Sequence, residues 1–282
     1  MPAAQPPPDD GAAAWSQLDL KGVAKTYRDS RGAQYTAARD IELSIPRGSF
    51  YCLLGPSGCG KSTLLNLIAG FEPVSSGDIT FAGGGTPRSV TGAGVDRAMI
   101  FQDAGEALFP WLNVEENILF GPNLRGSRAR PAHDQLARYL RMVGLTQHAH
   151  KFPFELSGGM KQRVQIARAL IMEPEILLMD EPFAALDAIT KRLLQRELSR
   201  IWQETGRTIV YVTHDIVEAL LLGTHVALMT HGPAATIKRK IEVNIAQPRS
   251  NTAPEFVELT RLLEDLLLEE VENARASDRE SA

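Results

Sequence analysis

Cysteine is nearly absent: the 282 residues hold only Cys52 and Cys59. Two thiols without zinc-ligand spacing build neither a disulfide framework nor a metal knot, and they suit a reducing cytosol. Long apolar runs are also missing. Nothing approaches the roughly 18–20 apolar residues that cross a bilayer; the best stretches, 176–179 and 219–222, are short and flanked by charge or glycine. Any membrane role must therefore come through a partner chain. Nor does one charge dominate, since 30 Lys and Arg stand against 34 Asp and Glu. That balance gives no nucleic-acid footprint. The start, MPAAQPPPDDG, lacks the basic end and apolar centre of a secretory signal. Its Pro, Ala and acidic content predicts a disordered leader over 1–16.

What is present suffices for a core, with 44% hydrophobic and 23% charged residues. QLDLKGVAKTY alternates apolar and polar residues as a half-buried strand does, and DIELSI repeats the pattern, with RDSRGAQ between them as a hairpin or loop. An apolar strand at 50–54 runs into a glycine-rich turn, and KSTLLNLIAG follows at helical spacing with Gly70 as its stop. SSGDITF reads as a turn entering a strand, ended by AGGG. From Asp103 to Glu173 the pattern is mainly helical, with loops predicted at Pro110, Gly121-Pro122 and Pro131. The runs 176–179 and 209–212 have the unbroken apolar character of buried parallel strands, separated by a helix over 191–205. Strand, turn, helix and further strand–helix units predict an α/β sheet with helices on both faces. PEFVELTRLLEDLLLEEV reads as an amphipathic helix packed on its own domain, and NARASDRESA as a frayed tail. No internal repeat is visible.

The chemistry starts at GPSGCGKST, residues 55–63, which fits the phosphate-loop pattern of Gly, four residues, Gly, Lys and Ser or Thr. Gly55, Pro56, Ser57, Gly58, Cys59 and Gly60 form a turn whose glycines let backbone N–H groups face the β- and γ-phosphates of a nucleotide. The helix start adds its dipole, Lys61 a mobile charge, and Ser62, followed by Thr63, a hydroxyl for Mg²⁺. ILLMDE, 176–181, ends a buried apolar strand in two carboxylates, which serves no packing purpose. Beside a phosphate loop, Asp180 would hold the hydrated Mg²⁺, and Glu181 would orient and deprotonate the attacking water. LSGGMKQRVQIARAL, 156–170, supplies a second capped helix start, with Ser157 as N-cap and Gly158 and Gly159 allowing close approach. One chain with two anion-ready helix ends suggests a second nucleotide face.

This segment resembles the signature motif of ABC ATPases, usually LSGGQ, with Met160 in place of the glutamine. The resemblance spans about 18–243. It implies a P-loop NTPase (RecA-like) core over 17–245, with an antiparallel β subdomain and a helical signature subdomain at about 103–172, and a C-terminal helix and tail over 246–282. It also implies a homodimer sandwiching ATP, in which Ser157, Gly158, Gly159 and Met160 of one subunit meet the γ-phosphate held by the other. In MIFQ, Gln102 matches the Q-loop glutamine, shared between Mg²⁺, water and a transmembrane permease. In AALD, Asp187 matches the D-loop, though the family's usual SALD serine is Ala184. In YVTHD, His214 matches the switch histidine at the γ-phosphate. Tyr27 in VAKTY matches the aromatic that stacks on adenine, with Tyr35 as the competing choice.

LFPWLNVEENILFG after Gln102 is similar to a segment of nitrate-, sulfonate- and taurine-type importers, and a short C-terminus with no regulatory domain is expected to follow the cassette. DAGE makes the loop longer than that family's usual form. The resemblance implies a peripheral subunit on the cytoplasmic face of the membrane, with permease subunits and, indirectly, an extracytoplasmic solute-binding protein as partners. Phe109 and Trp111 are candidates for docking or for the core of the helical subdomain. The competing reading is a soluble ABC ATPase without a permease. Such proteins carry two cassettes or a coiled-coil insertion, and neither is present. A GTPase is excluded by the missing asparagine–lysine–x–aspartate motif. Cys59 reads as packing, and His133, His148, His150, His225 and His231 as surface or loop histidines.

Overall fold

The computed structural model describes residues 15–28, 32–124 and 130–280. Residues 1–14 of the expected leader and 29–31 of the expected hairpin loop lie outside them. Trp15, assigned to the leader from its surroundings, is instead buried edge-on against Phe81, with ring centroids 5.1 Å apart. The chain divides into two units, one comprising residues up to Ala93 and from Thr208 onward, the other Gly94–Arg207.

In the first unit the alternating segments become β1 (Gln17–Arg28) and β2 (Gln34–Pro46), paired antiparallel. Leu18, Leu20, Ile41, Leu43 and Ile45 are buried while Glu42 and Ser44 face out. The second side of β1 pairs with β4 (Ser76–Ala82), which carries β5 (Arg88–Ser89). A separate set of strands forms around β3 (Phe50–Leu54), every residue of which is buried. β8 (Thr208–Thr213) and β9 (His225–Met229) lie parallel to β3 on its two sides, and β10 (Ile237–Glu242) is antiparallel to β9. β3 and β8 show no alternation because helices pack against them: α1 (Lys61–Ala69) on β8 and α7 (Ile216–Leu222) on both.

α8 (Pro254–Glu280) closes the unit, anchored by the buried Phe256 and Leu263. Residues 273–280 of the expected frayed tail continue this helix, their composition of Asn, Ala, Arg, Ser, Asp and Glu containing no breaker, and 281–282 lie outside the described residues. His225, expected on the surface or in a loop, is half-buried in β9. It stacks on Tyr51 at 5.5 Å, and burial pushes its pKa below the usual imidazole value despite Glu242 nearby.

In the second unit β6 (Arg97–Ile100) lies parallel to β7 (Ile176–Asp180). The helices are α2 (Ala104–Ala107), α3 (Val114–Leu124), α4 (Arg130–Met142), α5 (Gly158–Leu170) and α6 (Ala188–Thr205). α5 is central, packing on α2, α3, α4, α6 and β6. Two of the predicted loops are helix instead. Gly121 and Pro122 lie in the last turns of α3, where Pro122 is buried and costs one backbone hydrogen bond. A Cβ on Gly121 would fall 2.6 Å from Met172 Sδ, so packing keeps this residue small. Pro131 is the second residue of α4, within the turn whose N–H groups have no intrahelical partner. The added DAGE is a single turn, α2, capped by Asp103, which accepts from Gly105 N at 2.6 Å and Glu106 N at 3.2 Å. Among the described residues no helix is long and apolar enough to cross a membrane.

Candidate functional site

α1 begins without a side-chain cap. Its N-cap, Gly60, has φ 92°, a left-handed conformation in which a Cβ would also meet Ala37 O at 2.8 Å. Ser57, Gly58 and Ser62 are exposed, and a Cβ on Gly58 would meet nothing within 4 Å. Lys61 is 5% exposed and folds its Nζ onto the loop's own carbonyls, Gly55 O at 2.8 Å and Pro56 O at 2.7 Å. The result is a cradle of backbone N–H groups with a cation at its rim, and the residues present fit phosphate groups. Cys59 lies inside, its Sγ 3.9 Å from Lys61 Nζ; burial raises its thiol pKa and the Lys61 charge draws it part-way back.

Tyr27 stands beside this loop. Its hydroxyl bonds to Glu72 and Thr63, Lys25 Nζ lies 4.9 Å from its ring centroid, and burial followed by Glu72 raises its pKa. Lys25 pairs with Glu72 at 3.0 Å and donates to Pro73 O at 2.9 Å. Tyr35, the competing aromatic, pairs with Tyr27 across β1 and β2 and is 49% exposed. His214 is exposed in the turn after β8. Beneath it Thr213 Oγ1 donates to the buried Glu218 and accepts from Asp215 N at 3.1 Å, while Asp215 caps α7 through Glu218 N at 3.1 Å. Burial, and then the nearby Glu218 charge, drive the Tyr211 pKa well up.

In the second unit β7 ends at Asp180, and Glu181 follows with φ 40°. A left-handed glutamate is strained by about 1–3 kcal/mol, a cost that clusters where a side chain must be aimed. The structure sets Gly158 beside Leu186 and Gly159 beside Thr190. Ser157 Oγ caps α5 by accepting from Met160 N at 3.3 Å. A Cβ on Gly158 would touch Leu186 Cδ2 at 3.5 Å, and one on Gly159 would collide with Thr190 Cγ2 at 2.7 Å. Asp187 caps α6 through Ile189 N and Thr190 N at 3.1 and 3.0 Å, and the Thr190 side chain, ahead of these backbone N–H groups, lowers its pKa. Gln102 is exposed just past β6, and the preceding Phe101 is gripped by Gln165, which accepts from Phe101 N at 3.1 Å and donates to Phe101 O at 3.3 Å.

A protein-family profile described as ABC transporter matches residues 38–184. The chain belongs to that family. It is similar to the nitrate import ATP-binding protein NrtD of Synechococcus elongatus, 46% identical over 84% of each chain. The bicarbonate transport ATP-binding protein CmpD of Synechocystis is 42% identical, over 88% of this chain and 86% of that one. The aliphatic sulfonates import ATP-binding protein SsuB of Bacillus subtilis is 45% identical, over 80% and 84%. Among solved structures, a dimeric ATP-binding cassette in a post-hydrolysis state with ADP and Pi superposes with a TM-score of 0.67 at 30% identity. That match covers 81% of this chain and all of the other. This ABC protein is therefore an ATP-binding subunit and an ATPase, with the mixed parallel and antiparallel α/β fold of such cassettes.

Several supports of the ABC site escaped the sequence reading. Thr213, Glu218 and Tyr211 under His214, and Gln165 behind Gln102, are ordinary residues in sequence. Their polar groups become informative only once buried. Asn117 is fully buried and braces the segment after α2: its Oδ1 accepts from Phe109 N at 2.9 Å, and its Nδ2 donates to Phe109 O, Leu112 O and Asn113 O at 3.1, 2.8 and 3.0 Å. Phe109 packs on Phe120 at 4.2 Å under Arg168, whereas Trp111 is left 69% exposed.

Proposed function

We propose that this ATPase powers uptake of a small anion, in the class of nitrate, bicarbonate or a sulfonate. The reading is carried by the likeness, over most of both chains, to three ATP-binding proteins named for import or transport of those anions. It works as a homodimer on the cytoplasmic face of the membrane, a state in keeping with the dimeric solved cassette. Permease chains and an extracytoplasmic binding protein complete the machine.

ATP is held by residues 55–63, with Lys61 on its phosphates and Tyr27 against adenine. Ser62, Asp180 and Gln102 would hold Mg²⁺, which when bound neutralises phosphate charge. Glu181 takes a proton from the attacking water as the water oxygen bonds to the γ-phosphorus and the bond to ADP breaks. His214 contacts the γ-phosphate, and the partner's copies of Ser157, Gly158, Gly159, Met160 and Asp187 close the site. The helical segment 103–172 meets the permease through Trp111, whose exposure and braced backbone suit an aromatic anchor.

The test is uptake by cells lacking this chain, scored for nitrate, bicarbonate, alkanesulfonates and taurine. Loss of one, restored by the wild-type chain and not by Trp111→Ala, is the expected result. Trp111→Ala keeps the basal ATPase of the isolated subunit. Unimpaired uptake of all four overturns the substrate class, and efflux of a compound overturns the direction.

A further inference from the structure

The connection between β9 and β10 does not loop away into solvent. It is stitched to β2, with Ala234 N donating to Thr36 O at 2.6 Å and Arg39 N donating to Ala235 O at 2.9 Å. Within it Gly232 lies backbone to backbone against the phosphate loop. A Cβ there would sit 3.2 Å from Gly58 O, 3.6 Å from Cys59 Cα and 3.9 Å from the Tyr35 hydroxyl. The loop meets β2 through Gly60, and Gly55 meets Met229 at the end of β9, where a Cβ would lie 3.3 Å from the Met229 carbonyl oxygen. The turn over 231–235 is thus one wall of the phosphate loop.

The C-terminal helix holds that wall. Glu270 of α8 is only 7% exposed. Its Oε2 accepts from the backbone N of His231, the residue just before Gly232, at 2.9 Å, and its Oε1 pairs with Lys238 Nζ at 2.8 Å. Lys238 in turn donates to Leu266 O at 3.1 Å and pairs with Glu269 at 2.8 Å. Removing so shielded a carboxylate leaves the part-buried His231 N without its acceptor and Lys238 with one acceptor fewer.

We propose that α8 is a strap on the nucleotide site, with Glu270 as a positioning residue that holds the 231–235 turn against the phosphate loop and so sets affinity for ATP. The inference rests on residues 55–63 being the phosphate cradle.

The test uses the full chain, measuring the KM for ATP, kcat and equilibrium binding of trinitrophenyl-ATP. Glu270→Ala should raise KM and the dissociation constant about three- to tenfold, the loss of one part-buried charge-assisted hydrogen bond, with kcat within about twofold. Glu270→Gln keeps an oxygen for His231 N and should stay within about twofold of wild type in KM. Gly232→Val, which leaves α8 intact and presses on Gly58, should raise KM like Glu270→Ala, and it carries the test if that variant does not fold. Unchanged KM in Glu270→Ala, or in Gly232→Val, overturns the strap, as does Glu270→Gln matching alanine. Normal nucleotide binding by Lys61→Ala would instead remove the cradle itself, a separable failure.

Discussion

The N-termini of α1 and α5 look alike in sequence, each a glycine-bearing turn running into an apolar-periodic helix, yet they are finished differently. At α1 no side chain caps the first turn, and the nearby cation, Lys61, is parked on loop carbonyls. At α5 the chain supplies its own cap, Ser157 Oγ, and Gly159 is pressed against Thr190. The first end leaves its donors for a ligand of high charge. The second already satisfies one donor, so it has less to offer alone and suits an anion largely bound elsewhere. On the function proposed above, binding strength belongs to α1, and completion of the site to α5 of the partner subunit.

The sharpest cut between binding and chemistry is Glu181→Gln, because an amide keeps the shape and loses the base. Steady-state phosphate release should fall by about 10²- to 10⁴-fold, while trinitrophenyl-ATP binding stays near wild type. Release near wild type would leave the strained glutamate without its role. Next in size, Lys61→Ala should weaken ATP binding at least about tenfold, the loss of a charge-assisted contact, as read by equilibrium titration.

Ser157→Ala tests the other end. Binding by the isolated subunit should hold, hydrolysis should drop about tenfold, and the lost cap should cost about 1 kcal/mol in urea unfolding. Mixing Lys61→Ala with Ser157→Ala subunits should then recover activity above either alone, since one site per dimer is intact. No recovery would break the distinction between the two ends.

The smallest effect concerns Cys59, inside the α1 turn. Its thiol pKa is raised by burial, more than Lys61 offsets, so little thiolate exists at neutral pH. Iodoacetamide labelling should be slow at pH 7, quicken as pH rises toward that pKa, and be slowed further by ATP. Cys52, fully buried and raised further, should label after it. Labelling of Cys52 first would show that the turn is less open than its exposed Gly58 indicates.

Where local pattern and local chemistry agree, the sequence is legible. The unbroken apolar runs became β7 and β8, Gly70 ended α1, and Ser157 capped α5 as its position demanded. Proline misled where context outweighed it: Pro122 sits in a helix because burial in that unit repays one lost hydrogen bond, and Pro131 because a first turn has no bond to lose. His225 misled because nothing local tells a strand histidine stacked on Tyr51 from a loop one.

The sequence by itself determined the phosphate loop, the paired carboxylates and the two glycine-bearing helix starts, because each needs particular residue types at fixed short spacing. Tertiary structure alone decided how those groups are held. Gln165 reaches Phe101 across 64 residues, Glu270 reaches His231 across 39, and Glu181 takes a left-handed backbone that no glutamate prefers. Such supports are single polar side chains whose partners lie far away in sequence. Their energy comes from burial, which the chain acquires only once the sheet and helices have closed around them.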